Sequence, residues 1–366
     1  MKFRVGVLPM ILSSLCLHLS GLDVAQRFLL EFLYLALICC CAILLWVARR
    51  YVTRPVGQTF LFFGLTICTL PLVADSSQLR PTLFFLAMTG MCCYVSSMRP
   101  SLDAKIVRVL IWIYLILISA SLFFSVAYIN DRFVSFVGSP TVLSVVLLVV
   151  FAIYAAVARS RTMIIVGYFA IGFLIFLTQT RLSIVLWLIT PGVVLFSGFS
   201  IRRKVIIYVT MLVGLIAGYP IFEYVGSVDQ GGYVTREVGA QGEDASFGLR
   251  RALTNQIFDE FQSSSMVSKV IGNGSEAARD VIKLNFGTDL LPHNDYLRIA
   301  FDFGILFLLM YIFCLFKLVV GSRDFSVNYI FIIYLVSFYH NMVYFLLCPL
   351  ALLSLLFCTR SDMGRN

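Results

Sequence analysis

The chain reads as an all-α integral membrane protein with about twelve transmembrane helices and one large polar loop. Three observations predict this. Of its 366 residues, 60% are hydrophobic and 13% charged, whereas soluble domains carry about 25% charged residues. Mean hydropathy is +0.95, and apolar runs near the ~20 residues that a spanning helix needs recur along the chain. Finally, Lys and Arg gather in alternate connections between those runs.

Taken in order, the runs place spans at 5–21, 28–47, 57–73, 82–97, 106–128, 141–158, 163–179, 182–199, 204–222, 299–319, 327–343 and 344–359. The first run ends in "LHLSGLDVAQ", which lacks a small-residue cleavage site, so it is expected to be a span rather than a signal peptide. The stretch 163–199 needs an argument. As one helix it would be about 55 Å long, against a hydrocarbon core about 30 Å thick. It therefore divides into two spans with a tight reversal at "TQTRLS". The last two spans are separated only at "FYHNMVY". This gives a nine-span region over 1–222, a polar loop over 223–298 and a three-span region over 299–366.

Orientation follows from the basic residues, which favour cytoplasmic connections. Seventeen of the 28 Lys and Arg lie at the two ends and in the even-numbered connections. The short odd-numbered connections hold only Arg27, Arg80, Arg132 and Arg181. Both termini are thus expected in the cytoplasm, and the net charge of +9 is a topology signal rather than a nucleic-acid footprint. The loop, on the outer face, carries more acids than bases and room for short helices such as 249–262 and 275–284. "NGS" at 273–275 matches a glycosylation sequon, a short pattern with little weight by itself. The ten cysteines lie in or beside apolar runs, none in the loop. They read as small apolar filler rather than as disulfides or metal ligands.

Charge at membrane depth is costly and calls for a reason. Arg181 lies in the hairpin between two apolar runs, with Thr178, Gln179, Thr180 and Ser183 around it. It is either a snorkelling interfacial arginine or an anion site whose planar fork suits phosphate. Arg250 and Arg251 in "SFGLRRALTNQIFDEF" are expected to open an amphipathic helix with Leu253, Ile257, Phe258 and Phe261 as its apolar face. Two arginines at a helix start oppose the helix dipole, which suggests an anionic ligand beside the plain alternative of a solvated pair. "NDRFVSFVGSP" carries Arg132 ahead of a Gly-Ser-Pro turn, and Arg80 in "SSQLRP" is a weaker instance. His340 and Asn341 lie between the last two spans, and His18 reads as a packed apolar-run residue. In "LLPHNDYLRIAFDFGI", Asn294 is a good N-cap with Asp295 in the first turn. Arg298 and Asp302 are four apart and can pair along one face. His293 then stands beside the positive end of a helix, which favours a neutral ring able to accept a proton near pH 7. The plain alternative is an interfacial or capping histidine.

"HNDYLRIAFDFGILFLL" resembles the C-terminal signature of the O-antigen polymerase and O-antigen ligase superfamily through His293, Asn294, Leu297, Asp302 and Gly304. "LTQTRLS" is similar to the family's short Thr/Ser-Arg element, with Arg181 as its arginine. "LRRALTNQIFDEF…VIGNGS" resembles a loop segment in which an arginine, here Arg250 or Arg251, precedes a helix and then a Gly-x-Gly, here Gly272 and Gly274. "RFVSFVGSPT" is similar to an Arg…Gly-x-Pro-Asn element, with Thr141 where the family has Asn. The resemblance covers about residues 130–320.

It implies a GT-C-like membrane glycosyltransferase in the bacterial inner membrane, working on its periplasmic side. The donor would be an oligosaccharide on undecaprenyl diphosphate, with no cofactor, no metal and no nucleic acid. Arg181 and Arg250 or Arg251 would hold the diphosphate, and His293 would be the general base on the attacking hydroxyl. Asn294 and Tyr296 would orient sugar or ring, and Arg132, Arg298 and Arg80 are further substrate-binding candidates. Inversion at the anomeric carbon is implied. "HNDYLR" followed by Phe-Asp-Phe-Gly resembles polymerases more than ligases, and a chain-length regulator protein is a candidate partner. A ligase transferring glycan to the lipid A core is the alternative within the family. A lipid-linked oligosaccharide flippase is the alternative of another class, although the inner halves of the spans are nearly free of charge, with Glu31 the clearest candidate inside a span.

Overall fold

The computed structural model describes residues 104–129, 132–137, 139–158, 160–228, 245–287, 294–319 and 324–337. The first four predicted spans, the last one, Arg80, His293, His18, Glu31 and His340 lie outside the described residues. Within them the chain is almost entirely helical, with one two-residue antiparallel pair.

Helix α1, Ala104–Ser121, ends seven residues before the predicted span does. The hydroxyl of Ser121 donates to the Ile118 carbonyl at 2.7 Å and pairs with the Ser135 hydroxyl at 2.7 Å. A 3-10 turn, Ser125–Ala127, then leads into β1, Tyr128–Ile129, and β2, Arg132–Phe133, in antiparallel register Tyr128 to Phe133. The apolar residues 122–128 that lengthened the predicted span thus form a surface hairpin, with Phe123 88% exposed. That detour brings Arg132 back over the molecule.

Helix α2, Pro140–Val157, starts at the Gly-Ser-Pro turn as predicted. Ser139 caps it by accepting from the Val142 amide, and Pro140 needs no donor in the first turn. It is the central helix, mostly buried, and the one described helix long and apolar enough to cross a membrane by length and composition. Helix α3, Arg161–Leu177, capped by Ser160, packs along it. The chain then reverses at Thr178–Thr180, as the length argument required. Helix α4, Arg181–Leu188, runs back antiparallel, so that Tyr168 and Trp187 stack at 4.8 Å and exchange ring-to-carbonyl hydrogen bonds.

The predicted span 182–199 is broken at Ile189, after which α5 runs Thr190–Ser197. Pro191 is the cause, since it lacks an amide donor and its ring clashes with the carbonyl four residues back. That carbonyl, on Trp187, instead accepts from the Tyr168 hydroxyl at 3.3 Å. The neighbouring Leu186 carbonyl accepts from the Tyr329 hydroxyl at 3.0 Å and the Thr190 hydroxyl at 3.4 Å. The break is therefore sealed by side chains of two neighbouring helices. Helix α6, Ile201–Val228, runs six residues beyond the predicted span.

The loop then folds as α7, Ala245–Ser263, α8, Met266–Ile271, and α9, Ala277–Phe286. Leu253 and Ile257 are buried as predicted, but Phe258 is 47% exposed and lies off the apolar face. Helix α7 also begins before Arg250, so Arg250 and Arg251 fall beyond the first turn and the opposing-dipole argument does not apply to them. The predicted tenth span is divided at Gly304 into α10, Asp295–Phe303, and α11, Ile305–Val319. Helix α12, Phe325–Ser337, completes the described bundle.

Two apolar cores result. One fills the bundle, and interhelical side-chain hydrogen bonds cross it: Ser144 with Ser183 at 2.7 Å, the Thr190 hydroxyl to that of Tyr329 at 2.8 Å and the Tyr208 hydroxyl to Asn328 Oδ1 at 2.7 Å. Such pairs contribute about 0.6 kcal/mol each between membrane helices. The other core lies among the loop helices and consists of Leu253, Ile257, Ala278, Ile282 and Phe301. Helix α10 belongs to both: Tyr296, Ile299 and Phe303 enter the bundle core, whereas Phe301 and Leu297 face the loop helices. Outward-facing Val109, Ile113 and Ile116 on α1, and Ile165, Phe169, Phe173 and Phe176 on α3, form exposed apolar stripes. Such stripes suit helices whose surroundings are lipid tails.

Candidate functional site

The α3–α4 reversal is built by side chains from two separate motifs. Arg132 on β2 donates from Nε to the Thr178 carbonyl at 3.0 Å and from Nη2 to Thr180 Oγ1 at 3.1 Å. Thr180 Oγ1 donates to the Pro140 carbonyl at 3.3 Å, and Thr178 Oγ1 to the Ile175 carbonyl at 2.7 Å. One turn further on, Ser183 meets Ser144 of α2. The "RFVSFVGSPT" and "LTQTRLS" elements, some 40 residues apart, are thus one construction. Its tip, Gln179, has φ of 51°. A non-glycine residue in the left-handed region costs on the order of 1 kcal/mol, and the surrounding bonds hold it there. Arg181 is the first residue of α4 and is solvent-facing. Arg132 therefore acts on the hairpin that carries Arg181, and its fork is already engaged by protein groups.

The second construction surrounds α10. Asn294 caps it, its side chain accepting from the Leu297 amide at 3.1 Å, as expected. Arg298 and Asp302 pair as predicted, Nε to Oδ2 at 3.7 Å. Arg298 also reaches Glu276 at 2.8 Å, and Asp302 Oδ1 accepts from the Ala278 amide at 2.8 Å. Arg279, 39% exposed, approaches the other Glu276 oxygen at 3.9 Å. Arg298 is only 2% exposed. The side chain ties α10 to the start of α9 inside the protein. Tyr296 is enclosed in the same way. It is 6% exposed, and its hydroxyl donates to the Leu335 carbonyl of α12 at 2.7 Å.

The Gly-x-Gly of the loop serves the same helix. The Gly272 φ is 92° and the Gly304 φ is 89°, conformations that favour glycine. A Cβ on Gly272 would overlap the Asp302 carbonyl oxygen, and one on Gly304 would overlap the Val270 carbonyl oxygen. The Asn273 and Gly274 amides donate to the Phe301 and Asp302 carbonyls at 3.0 Å each. The Asn273 side-chain amide also donates to the Phe301 carbonyl, at 3.1 Å, and Ser275 is buried. Asn273 is exposed but bonded at this crossing, and Ser275 is buried beside it.

Glu276 is the residue that sequence reasoning missed. It sits at φ 65°, 6% exposed, at the start of α9. The signal was an acid directly after a Gly-x-Gly-Ser turn, which is ambiguous without the position of Arg298. Arg250 and Arg251 lie on α7, with their side chains outside the described residues, and His293 and Arg80 lie outside them altogether. Among the described residues no cluster of three His, Cys, Asp or Glu is placed to hold a metal.

A family model described as O-antigen ligase matches residues 145–312. The matched stretch takes in the Arg181 hairpin, the loop helices and α10, and stops inside α11. No curated protein matches the chain.

Proposed function

We propose that the chain is a surface-polysaccharide polymerase of the O-antigen polymerase and ligase kind, a reading supported by the O-antigen ligase family model that matches residues 145–312. It transfers a glycan from undecaprenyl diphosphate onto another lipid-linked repeat unit at the periplasmic face of the inner membrane. The observation that carries the reading is the braced hairpin: a cation, Arg181, on a turn held by Arg132, Thr178 and Thr180. A braced cation suits a leaving diphosphate, because donors fixed in advance lose nothing to reorganisation as charge develops.

In this reading Arg181, with Arg250 or Arg251, binds the diphosphate. His293, one residue before the α10 cap, removes the proton from the attacking hydroxyl. The hydroxyl oxygen displaces the diphosphate from the anomeric carbon with inversion, the C–O bond electrons leaving with the diphosphate. The same chemistry with the lipid A core as acceptor is the ligase reading, supported by the description of the family model.

A gene deletion separates the two. Loss of a polymerase leaves lipopolysaccharide carrying a single repeat unit. Loss of a ligase leaves bare core with polymer stranded on the lipid carrier, and loss of a flippase strands single units on the cytoplasmic leaflet. Polymer formation near wild type in both His293→Ala and Arg181→Ala proteins that insert normally would sink the mechanism.

A further inference from the structure

Among the described residues, α8 is the one loop helix with no buried residue. Met266, Val267, Val270 and Ile271 are 73%, 66%, 43% and 54% exposed. At 3.6 residues per turn these four positions share one face, and Ser268 and Lys269 take the other. Nothing about the helix is loose, however. Ser265 caps it, accepting from the Ser268 amide at 3.1 Å, and Lys269 Nζ donates to the Gln262 carbonyl of α7 at 2.7 Å. At its far end, the Gly272–Gly304 crossing seals it against the start of α11. A rigidly held helix presenting four large apolar side chains to water would be an anomaly, since contiguous exposed apolar patches mark interaction surfaces.

What covers this face follows from where it leads. The Val270 and Ile271 backbone lies against Gly304, so the end of α8 abuts the first residues of α11. There the exposed side chains are Ile305 at 41%, Leu306 at 51%, Leu309 at 57% and Phe313 at 50%, a stripe along one side of an apolar helix. In a membrane-embedded protein such a stripe suits contact with lipid tails. We propose that α8 is an interfacial foot. Its Met266, Val267, Val270 and Ile271 face rests in the headgroup and acyl boundary of the bilayer, continuing the lipid-facing side of α11.

A short amphipathic helix lying in the interface plane has this composition and position. The foot carries more than itself. The amides of Asn273 and Gly274, directly after α8, are bonded to the C-terminal carbonyls of α10. The depth at which the foot sits therefore sets the height of α10 above the lipid. If the proposed function holds, that is the height at which a lipid-borne diphosphate meets its acceptor.

The test is photocrosslinking in the full-length protein reconstituted into vesicles of phosphatidylethanolamine and phosphatidylglycerol. A benzophenone amino acid replaces Val267 in one protein and Asn285, an exposed polar position on α9, in the other. Phospholipid adducts several-fold more abundant at position 267 than at 285 are expected. Equal yields at the two positions, or adducts from 267 chiefly to another segment of this chain or to a second protein, would overturn the foot. The readout requires no sugar transfer, so it stands or falls separately from the proposed activity.

Discussion

Arg132 and Arg298 looked alike in the sequence, each a basic residue beside a motif at the outer side of a span and each a candidate to touch substrate. The fold uses them differently. Arg132 is half-buried and clasps a turn through a carbonyl and a hydroxyl. Arg298 is enclosed, with the Glu276 carboxylate at 2.8 Å and that of Asp302 at 3.7 Å. The carbonyl and hydroxyl of that clasp are uncharged acceptors, and they fix geometry beside Arg181 rather than balance a positive charge. Two carboxylates do cancel it, and the second construction is a structural joint between α9 and α10. The lesson is that an arginine's role is set by the charge of its partners and by its burial, neither of which its sequence neighbours disclose.

The joint offers the largest effect. Arg298→Ala leaves the Glu276 and Asp302 carboxylates buried without their cation, and removing one partner of a buried ion pair costs about 3–5 kcal/mol. Heating the detergent-solubilised protein and following loss of the monodisperse species should show a steep fall in melting temperature. Combining Arg298→Met with Glu276→Gln and Asp302→Asn should restore much of it, since the buried charges go together. If Arg298→Ala melts like wild type and loses only product, Arg298 contacts substrate and the contrast with Arg132 collapses.

At the hairpin the order of effects reverses. Arg181→Ala should reduce polymer formation by about 10²–10³-fold, the range seen when a preorganised donor to developing charge is removed. Its stability should stay within about 0.5 kcal/mol of wild type, as for exposed substitutions in general. Arg132→Ala should fall between. Loss of hydrogen bonds made by a charged group costs about 1.5–3 kcal/mol, and a loosened hairpin lowers turnover. Arg132→Lys keeps the charge but not the fork, so it should recover little of the lost turnover. Near-complete recovery with lysine, together with a KM for the lipid-linked donor that tracks charge alone, would make Arg132 a ligand instead of a brace.

Much of the fold was legible because bilayer thickness is a hard ruler. The reversal at 178–180 followed from length alone, and the start of α2 followed from Ser139 and Pro140. The errors came where one residue outweighs an apolar run. Pro191 interrupts the run 182–199, Gly304 interrupts 299–319 and Ser121 ends α1 early. Hydropathy averages over such positions, whereas the backbone does not. For the site, Asn294 as a cap and Arg298 with Asp302 as a pair depend on spacing within one helix and were therefore readable. Glu276 with Arg298, Arg132 with Thr180 and Gly272 with Gly304 join residues distant in the chain, and no local pattern announces them.

The smallest effect separates the two duties assigned to Asn294. As a cap it satisfies the Leu297 amide at 3.1 Å, and loss of such a cap costs about 1 kcal/mol. Asn294→Ala should therefore shift the melting temperature down only slightly. Serine and aspartate cap nearly as well as asparagine, so Asn294→Ser and Asn294→Asp should melt like wild type. If the side chain only caps, both should also keep wild-type polymer yield. If its amide orients the sugar, Ser and Asp proteins will be stable but poor in turnover, because neither offers the amide donor. Helix α10 is held along its length by the Arg298 joint and the glycine crossing, so a weakened cap alone cannot displace it far. A turnover loss in a protein of unchanged stability would then belong to the substrate, and Asn294 would join Arg181 on the reacting side of the contrast.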